Sequence, residues 1–143
     1  KNVNIYDLES DSVNLYIASN IGLLEFRWKE QEMNTLSKRV FKKIRLKNGI
    51  ILGSDGALWS IDEYNNEQYI DSNVQSFDMC GSFLWKSNEM GVTLLDTVST
   101  ELWRYGSKDG IPGNKIYEVN CDDDWAWFLT NKGMAFYNWS KYH

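Results

Sequence analysis

Three consecutive acids, Asp122-Asp123-Asp124, are the first place in this sequence where side chains could do chemistry. Clustered carboxylate oxygens suit a hard cation such as calcium. The EF-hand loop pattern is absent, however, and Glu9-Ser10-Asp11-Ser12 stands at an equivalent place earlier in the chain. Acids recurring in this way suit solvated turns, so no metal is expected. Lys38, Arg39, Lys42, Lys43, Arg45 and Lys47 form the basic cluster. It could meet an anionic partner. The preferred reading is the charged face of an edge strand, where lysine discourages unwanted pairing.

The sole histidine is His143, the last residue. That argues against a His-centred triad and a His-rich metal site. Carboxylates are plentiful, but nothing in the sequence pairs two of them across a cleft as glycoside hydrolysis requires. The expectation is a non-enzymatic protein without a cofactor. Seven Trp and eight Tyr could supply a stacking platform, because rings pack against the flat apolar faces of sugars. Most of them suit a core. Tyr64, Trp103, Tyr105 and Trp125 fall nearer turns and are the candidate binding residues, for a carbohydrate or another small ligand.

The 143 residues carry a formal net charge of −5, 43% hydrophobic residues, one Pro and two Cys. A binder of nucleic acid needs a dominant basic surface, so nucleic-acid binding is not expected. No run of 18 apolar residues exists, so no membrane insertion by this segment is expected. The length suits one domain with a buried core. The chain starts at Lys1 with no visible signal peptide, which fits a removed leader or a piece of a longer polypeptide.

The elements that must position these residues are set by an internal repeat. Four segments align: Leu15 to Phe26, Ile51 to Ile61, Phe83 to Leu95 and Trp127 to Tyr137. Each reads as an apolar or aromatic run, Ser or Thr, Asn or Asp, Gly, and a second run. The turn glycines Gly22, Gly56, Gly91 and Gly133 are spaced by 34, 35 and 42 residues. Ser/Thr and Asn/Asp hydrogen-bond a turn's backbone, and Gly takes a positive φ at little cost. Flanking aromatic and β-branched residues favour strands. Each repeat therefore holds a β-hairpin. Asn48-Gly49, between two apolar runs, signals another.

Further strands are expected upstream at Val3 to Tyr6, Ile44 to Leu46, Val74 to Met79 and Ile116 to Val119. Downstream they are expected at Leu36 to Val40, Gln68 to Ile70 and Glu101 to Tyr105. The count is four strands in three repeats and three in the last. Four-stranded antiparallel units of about 40 residues are β-propeller blades. The reading is an all-β chain of about four blades, at 1–41, 42–71, 72–106 and 107–143, with the last incomplete.

Lys108-Asp109-Gly110-Ile111-Pro112-Gly113-Asn114-Lys115-Ile116-Tyr117-Glu118-Val119, followed by Trp127-Phe128-Leu129-Thr130-Asn131-Lys132-Gly133-Met134, resembles the two-component-regulator propeller repeat. That pattern runs from a DGLP-type turn through an inner strand and an acidic turn to W-x-x-T and N-x-G-L. Ile111 and Met134 replace its leucines, and the first three repeats lack the DGLP-type turn. The resemblance implies a periplasmic or extracellular sensor region of a bacterial hybrid regulator, often sensing glycan fragments. It brings no catalytic residues. Similar repeats also occur in envelope and secretion assemblies. Such propellers usually have about seven blades, within the typical range. The chain is accordingly read as part of a larger propeller, completed by other blades of the parent chain or by a second copy. The expected function is ligand recognition, with a structural scaffold and a glycoside hydrolase-type propeller as alternatives.

Cys80 and Cys121 could form one bridge or pack as two small hydrophobes. They fall near the ends of innermost strands in adjacent blades. Such strands usually lie too far apart for the roughly 4.4–6.8 Å Cα spacing of a disulfide. Two free, buried thiols are therefore expected.

Overall fold

The computed structural model describes residues 2–143, which fold as fifteen β-strands and a single 3-10 turn at Ser107–Asp109. The first sheet holds β1 (Ile5–Ser10), β2 (Asn14–Ser19), β3 (Gly22–Arg27) and β4 (Glu32–Ser37). The second holds β5 (Lys43–Lys47), β6 (Ile50–Ser54), β7 (Leu58–Ile61) and β8 (Glu67–Asp71). The third holds β9 (Ser76–Cys80), β10 (Phe83–Asn88), β11 (Gly91–Asp96) and β12 (Leu102–Tyr105). The fourth holds three described strands, β13 (Ile116–Cys121), β14 (Trp125–Thr130) and β15 (Gly133–Asn138). All pair antiparallel in chain order, as propeller blades do. The blades form two compact units, one ending at Ser72 and one running Asn73–His143.

Within each unit two blades pack face to face. In the first, Tyr16, Ala18 and Leu23 meet Phe41, Ile44, Ile51 and Ile61. In the second, Trp85, Val92 and Leu94 meet Ile116, Val119, Ala126 and Phe128. Strand alternation makes this possible: in β14, Ala126, Phe128 and Thr130 are buried while Trp125 and Leu129 point outward.

The repeated hairpins close by a shared chemistry. Ser19 Oγ donates to the Gly22 carbonyl, and Thr130 Oγ1 to that of Gly133, each at 2.8 Å. The following asparagine reaches further. Asn20 Oδ1 accepts the Asn4 N–H, and Asn131 Oδ1 accepts those of Asn114 and Lys115, so each holds the segment entering its own blade. Gly91, at φ +139°, lies under the outer strand, and a Cβ there would come 2.2 Å from the Tyr105 carbonyl oxygen. Asn48 and Gly49 form a two-residue turn with φ of 49° and 78°, joining Lys47 to Ile50.

Three expectations need correction. The first strand is Ile5–Ser10, not Val3 to Tyr6, so Glu9 and Ser10 stand in a strand rather than in a turn. The outer strand of the first blade is Glu32–Ser37, not Leu36 to Val40. Gln31, at φ +53°, closes a tighter turn than the sequence suggested, so the strand begins earlier. Residues 38–42 are thereby freed as a connection. Within it Phe41 is fully buried over Gly53, where a Cβ would come 2.7 Å from the ring. The cysteines are not free thiols: Cys80 and Cys121 form a disulfide with Cα atoms 6.1 Å apart. The packing of β9 beside β13 is closer than the expectation assumed. Asp78 Oδ2 accepts the Cys121 N–H at 2.9 Å and Ser76 Oγ accepts that of Val119 at 3.1 Å, drawing the two innermost strands together.

Candidate functional site

The connection from β12 to β13 carries the most elaborated surface of the second unit. The Gly106 N–H donates to Asp109 Oδ2 at 2.8 Å, and buried Ile111 anchors the loop in the core. Gly113, at φ +79°, lets the chain pass Asn131, whose Oδ1 would stand 2.3 Å from a Cβ. Asn131 Nδ2 also donates to Asn114 Oδ1 at 3.1 Å. This clasp forms one wall of an open cleft of about 440 Å³, lined by Gln75, Glu89, Asn114, Lys115 and Asn131. Lys115 Nζ lies 5.3 Å from the Tyr117 ring centroid, a cation–π contact that steadies the ammonium. The lining offers amides, one carboxylate and one ammonium. It can hydrogen-bond a small polar ligand. Two-carboxylate hydrolysis would need a second acid, which the described lining lacks.

The four aromatic candidates fall in three surroundings, with Trp103 and Tyr105 sharing one. Tyr64 is 77% exposed in the β7–β8 turn of the first unit. There Asp62 accepts the backbone N–H groups of Tyr64 and Asn66 and the Asn66 side-chain amide, which hold its carboxyl below the usual range. Trp125 is exposed at the start of β14, opposite Asn138. Trp103 and Tyr105 share one face of β12 and meet the same imidazole. The His143 ring centroid is 4.3 Å from that of Trp103, and its Nε2 is 2.9 Å from Tyr105 Oη and 3.1 Å from Tyr137 Oη. Burial pushes the Tyr105 hydroxyl well up, with the Tyr137 hydrogen bond adding to the shift. Burial also lowers the His143 imidazole, with Glu101 opposing. Phe83, Tyr137, Trp139 and His143 complete this cluster and were missed in the sequence. The density of rings in Trp139-Ser140-Lys141-Tyr142-His143 was the signal for a packed segment.

Acidic and basic clusters serve the backbone and each other. Asp122 Oδ1 accepts the N–H groups of Asp124 and Trp125, at 2.9 and 2.7 Å. Asp11 Oδ1 accepts those of Val13 and Asn14, both at 2.7 Å, and these bonds depress its carboxyl. In the basic cluster, Arg39 stacks 3.5 Å over Trp59 and pairs with Asp55 and Glu67. Lys42 lies 3.4 Å over Tyr6. Arg45 pairs with Asp7 and Glu9, and β5 forms the edge of its sheet.

One face of the fourth blade differs from its equivalent in the third. Counting from the turn glycines Gly91 and Gly133, Trp85, Val92 and Leu94 correspond to Trp127, Met134 and Phe136. The former are fully or almost fully buried, whereas Met134 and Phe136 are 52% and 59% exposed. Leu129 and Tyr117 are also exposed on this blade.

No protein-family model matches the sequence, and no curated protein sequence matches it. Solved structures do. The extracellular domain assigned to a hybrid two-component system of B. thetaiotaomicron is similar with a TM-score of 0.74 at 17% identity, over 93% of this chain and 20% of that one. A second such domain from the same organism matches at 0.67 and 16% identity, over 94% of this chain and 21% of that one. The N-terminal domain of Nup159 matches at 0.68 and 12% identity, over 92% and 40%. The shared property is the β-propeller fold. This chain spans about one-fifth of the two extracellular domains' length.

Proposed function

We propose that this chain is a non-enzymatic recognition segment of a larger β-propeller in an exported bacterial sensor, binding a small polar ligand such as a glycan fragment. The observation that carries the reading is the open 440 Å³ cleft lined by Gln75, Glu89, Asn114, Lys115 and Asn131. Its amides and charges complement hydroxyl groups. Likeness to extracellular sensor domains supports the setting, as does a disulfide, which persists in oxidising compartments. The exposed Met134 and Phe136 support a further blade of the parent chain packing on the fourth. Ligand binding would then bias how neighbouring blades meet and pass a signal to a domain outside this segment. Tyr64 and Trp125 remain proposed as additional stacking positions.

The test is calorimetric titration of the 143-residue chain with a panel of neutral and acidic oligosaccharides, backed by thermal shift. A ligand at a hundredfold excess over its Kd should stabilise the fold by about 2.7 kcal/mol. Lys115→Met and Gln75→Ala should weaken binding without lowering the melting temperature of the free chain. Absence of binding across the panel, or turnover of a glycoside, would overturn the reading. The exposed face of the fourth blade also favours a scaffold role in an envelope assembly. A stable protein complex formed without small ligand would select that reading instead.

A further inference from the structure

The segment after β15 folds back onto the second unit. The N–H groups of Tyr142 and His143 both donate to the Trp139 carbonyl, at 3.0 and 2.9 Å, closing a turn. Trp139 Nε1 donates to the Asp122 carbonyl, and Ser140 Oγ to Asp124 Oδ1, each at 2.9 Å. This turn lays the His143 ring, which stays exposed on one side, against a half-buried aromatic surface formed by Phe83, Trp103, Tyr105 and Tyr137. Trp103 meets the imidazole at 61°, and the two tyrosyl hydroxyls, 3.5 Å apart, converge on its Nε2. Two convergent hydroxyls beside aromatic faces suit a flat ring that carries one in-plane nitrogen, to which they can donate or from which they can accept.

We propose that Phe83, Trp103, Tyr105 and Tyr137 form a binding site for a planar heteroaromatic ring, occupied in this chain by its own His143 and opened when the Trp139–His143 segment lifts away. A neutral imidazole suits the site in either tautomer, because a tyrosyl hydroxyl can donate to Nε2 or accept its proton. Protonation puts a cation against aromatic rings that strip away part of its hydration, and that partial desolvation disfavours the charge. The groups turned toward the ring are Tyr105 and Tyr137 from β12 and β15, with Glu101 ahead of β12 and Asp109 beyond Tyr105. Phe83 from β10 is uncharged, and Asp124 from the β13–β14 turn holds Ser140. Glu101 opposes the effect of burial without reversing it. The sign follows: the folded imidazole binds its proton less readily than the free one. The closed state is therefore fully favoured above about pH 6.5 and weakens as pH falls below that value.

The experiment follows amide exchange at residues 142 and 143 of the full chain, corrected for intrinsic rates, from about pH 7.5 to about pH 5. Protection should fall at least about tenfold across that window. His143→Gln, which cannot take up the proton, should show a flat profile. His143→Ala should be unprotected throughout and should bind free imidazole at about pH 8, detected by indole fluorescence, where the wild type does not. A flat wild-type profile, an unchanged pH response in His143→Gln, or no imidazole uptake by His143→Ala would each overturn the proposal. Should His143→Ala not fold, the wild-type and His143→Gln profiles decide alone. None of these readouts depends on the polar cleft.

Discussion

Cys80 and Cys121 stand 41 residues apart in sequence and 6.1 Å apart at Cα, and the bond between them joins the innermost strands of two neighbouring blades. It acts beside the Asp78 and Ser76 hydrogen bonds that already hold β9 to β13. Closing a loop of this length removes denatured-state freedom worth about 4 kcal/mol on the chain-entropy account. The Cys80→Ser/Cys121→Ser double variant should lose up to that amount in a denaturant titration of the oxidised chain against the variant. Unfolded wild type should show no reactive thiol until reductant is added, and two afterwards. A thiol assay that finds them without reductant would refute the bridge.

Gly91 and Gly133 share a backbone conformation but not a neighbourhood. At Gly91, φ is +139° and the Tyr105 carbonyl lies 2.2 Å from a Cβ position; at Gly133, φ is +130° and nothing lies within 4 Å. Gly133→Ala should cost on the order of 1–3 kcal/mol, from backbone strain alone. Gly91→Ala should cost more, because β12 must also move. Equal losses in chemical denaturation would contradict this.

Leu94 and Phe136 occupy the same repeat position at 0% and 59% exposure. Leu94→Ala should destabilise the second unit by about 2–5 kcal/mol, through lost burial and a cavity. Phe136→Ala should cost under about 1 kcal/mol in the isolated chain, as a surface change does. In a parent protein with a following blade, Phe136→Ala should cost as much as a core truncation. That contrast tests whether the face is covered there.

Asp55 should make the first unit acid-sensitive. Partial burial works against its charge. The Arg39 hydrogen bond, the Ala57 N–H and the Trp59 indole outweigh that and leave its carboxyl below the usual range. A carboxyl depressed by folding adds stability above its unfolded value near 4, and loses it as pH falls through the folded value. After solvent screening the contribution is at most about 1 kcal/mol. The gap in melting temperature between wild type and Asp55→Asn should be present at about pH 6 and vanish at about pH 2. A gap of constant size would exclude the Arg39 pairing as its source.

Local pattern was enough to find the blades and too little to find the sites. Ser19 and Thr130 announce hairpins because their partners lie within the same turn, whereas the asparagines after them reach back to the segment that enters the blade. Asn48-Gly49 announces its turn because both residues tolerate positive φ. The outer strand of the first blade was misplaced, since Gln31 at positive φ carries no local signal that a turn ends there. Trp103 and Tyr105 could be named as ring-bearing candidates. Their partner, His143, is 38 residues from Tyr105, and no spacing rule connects them.

The sequence by itself determined an all-β chain of repeated antiparallel hairpins, with three complete blades and three strands of a fourth. Side-chain alternation, turn chemistry and repeat spacing are properties of near neighbours along the chain. Tertiary structure alone decided that Cys80 meets Cys121, that Gln75, Glu89 and Lys115 share one cleft, and that His143 meets Trp103 and Tyr105. Each of those depends on how closely two blades pack. That separation is set by the sum of many side-chain volumes and inter-strand hydrogen bonds, such as Asp78 to Cys121, rather than by any short run of residues.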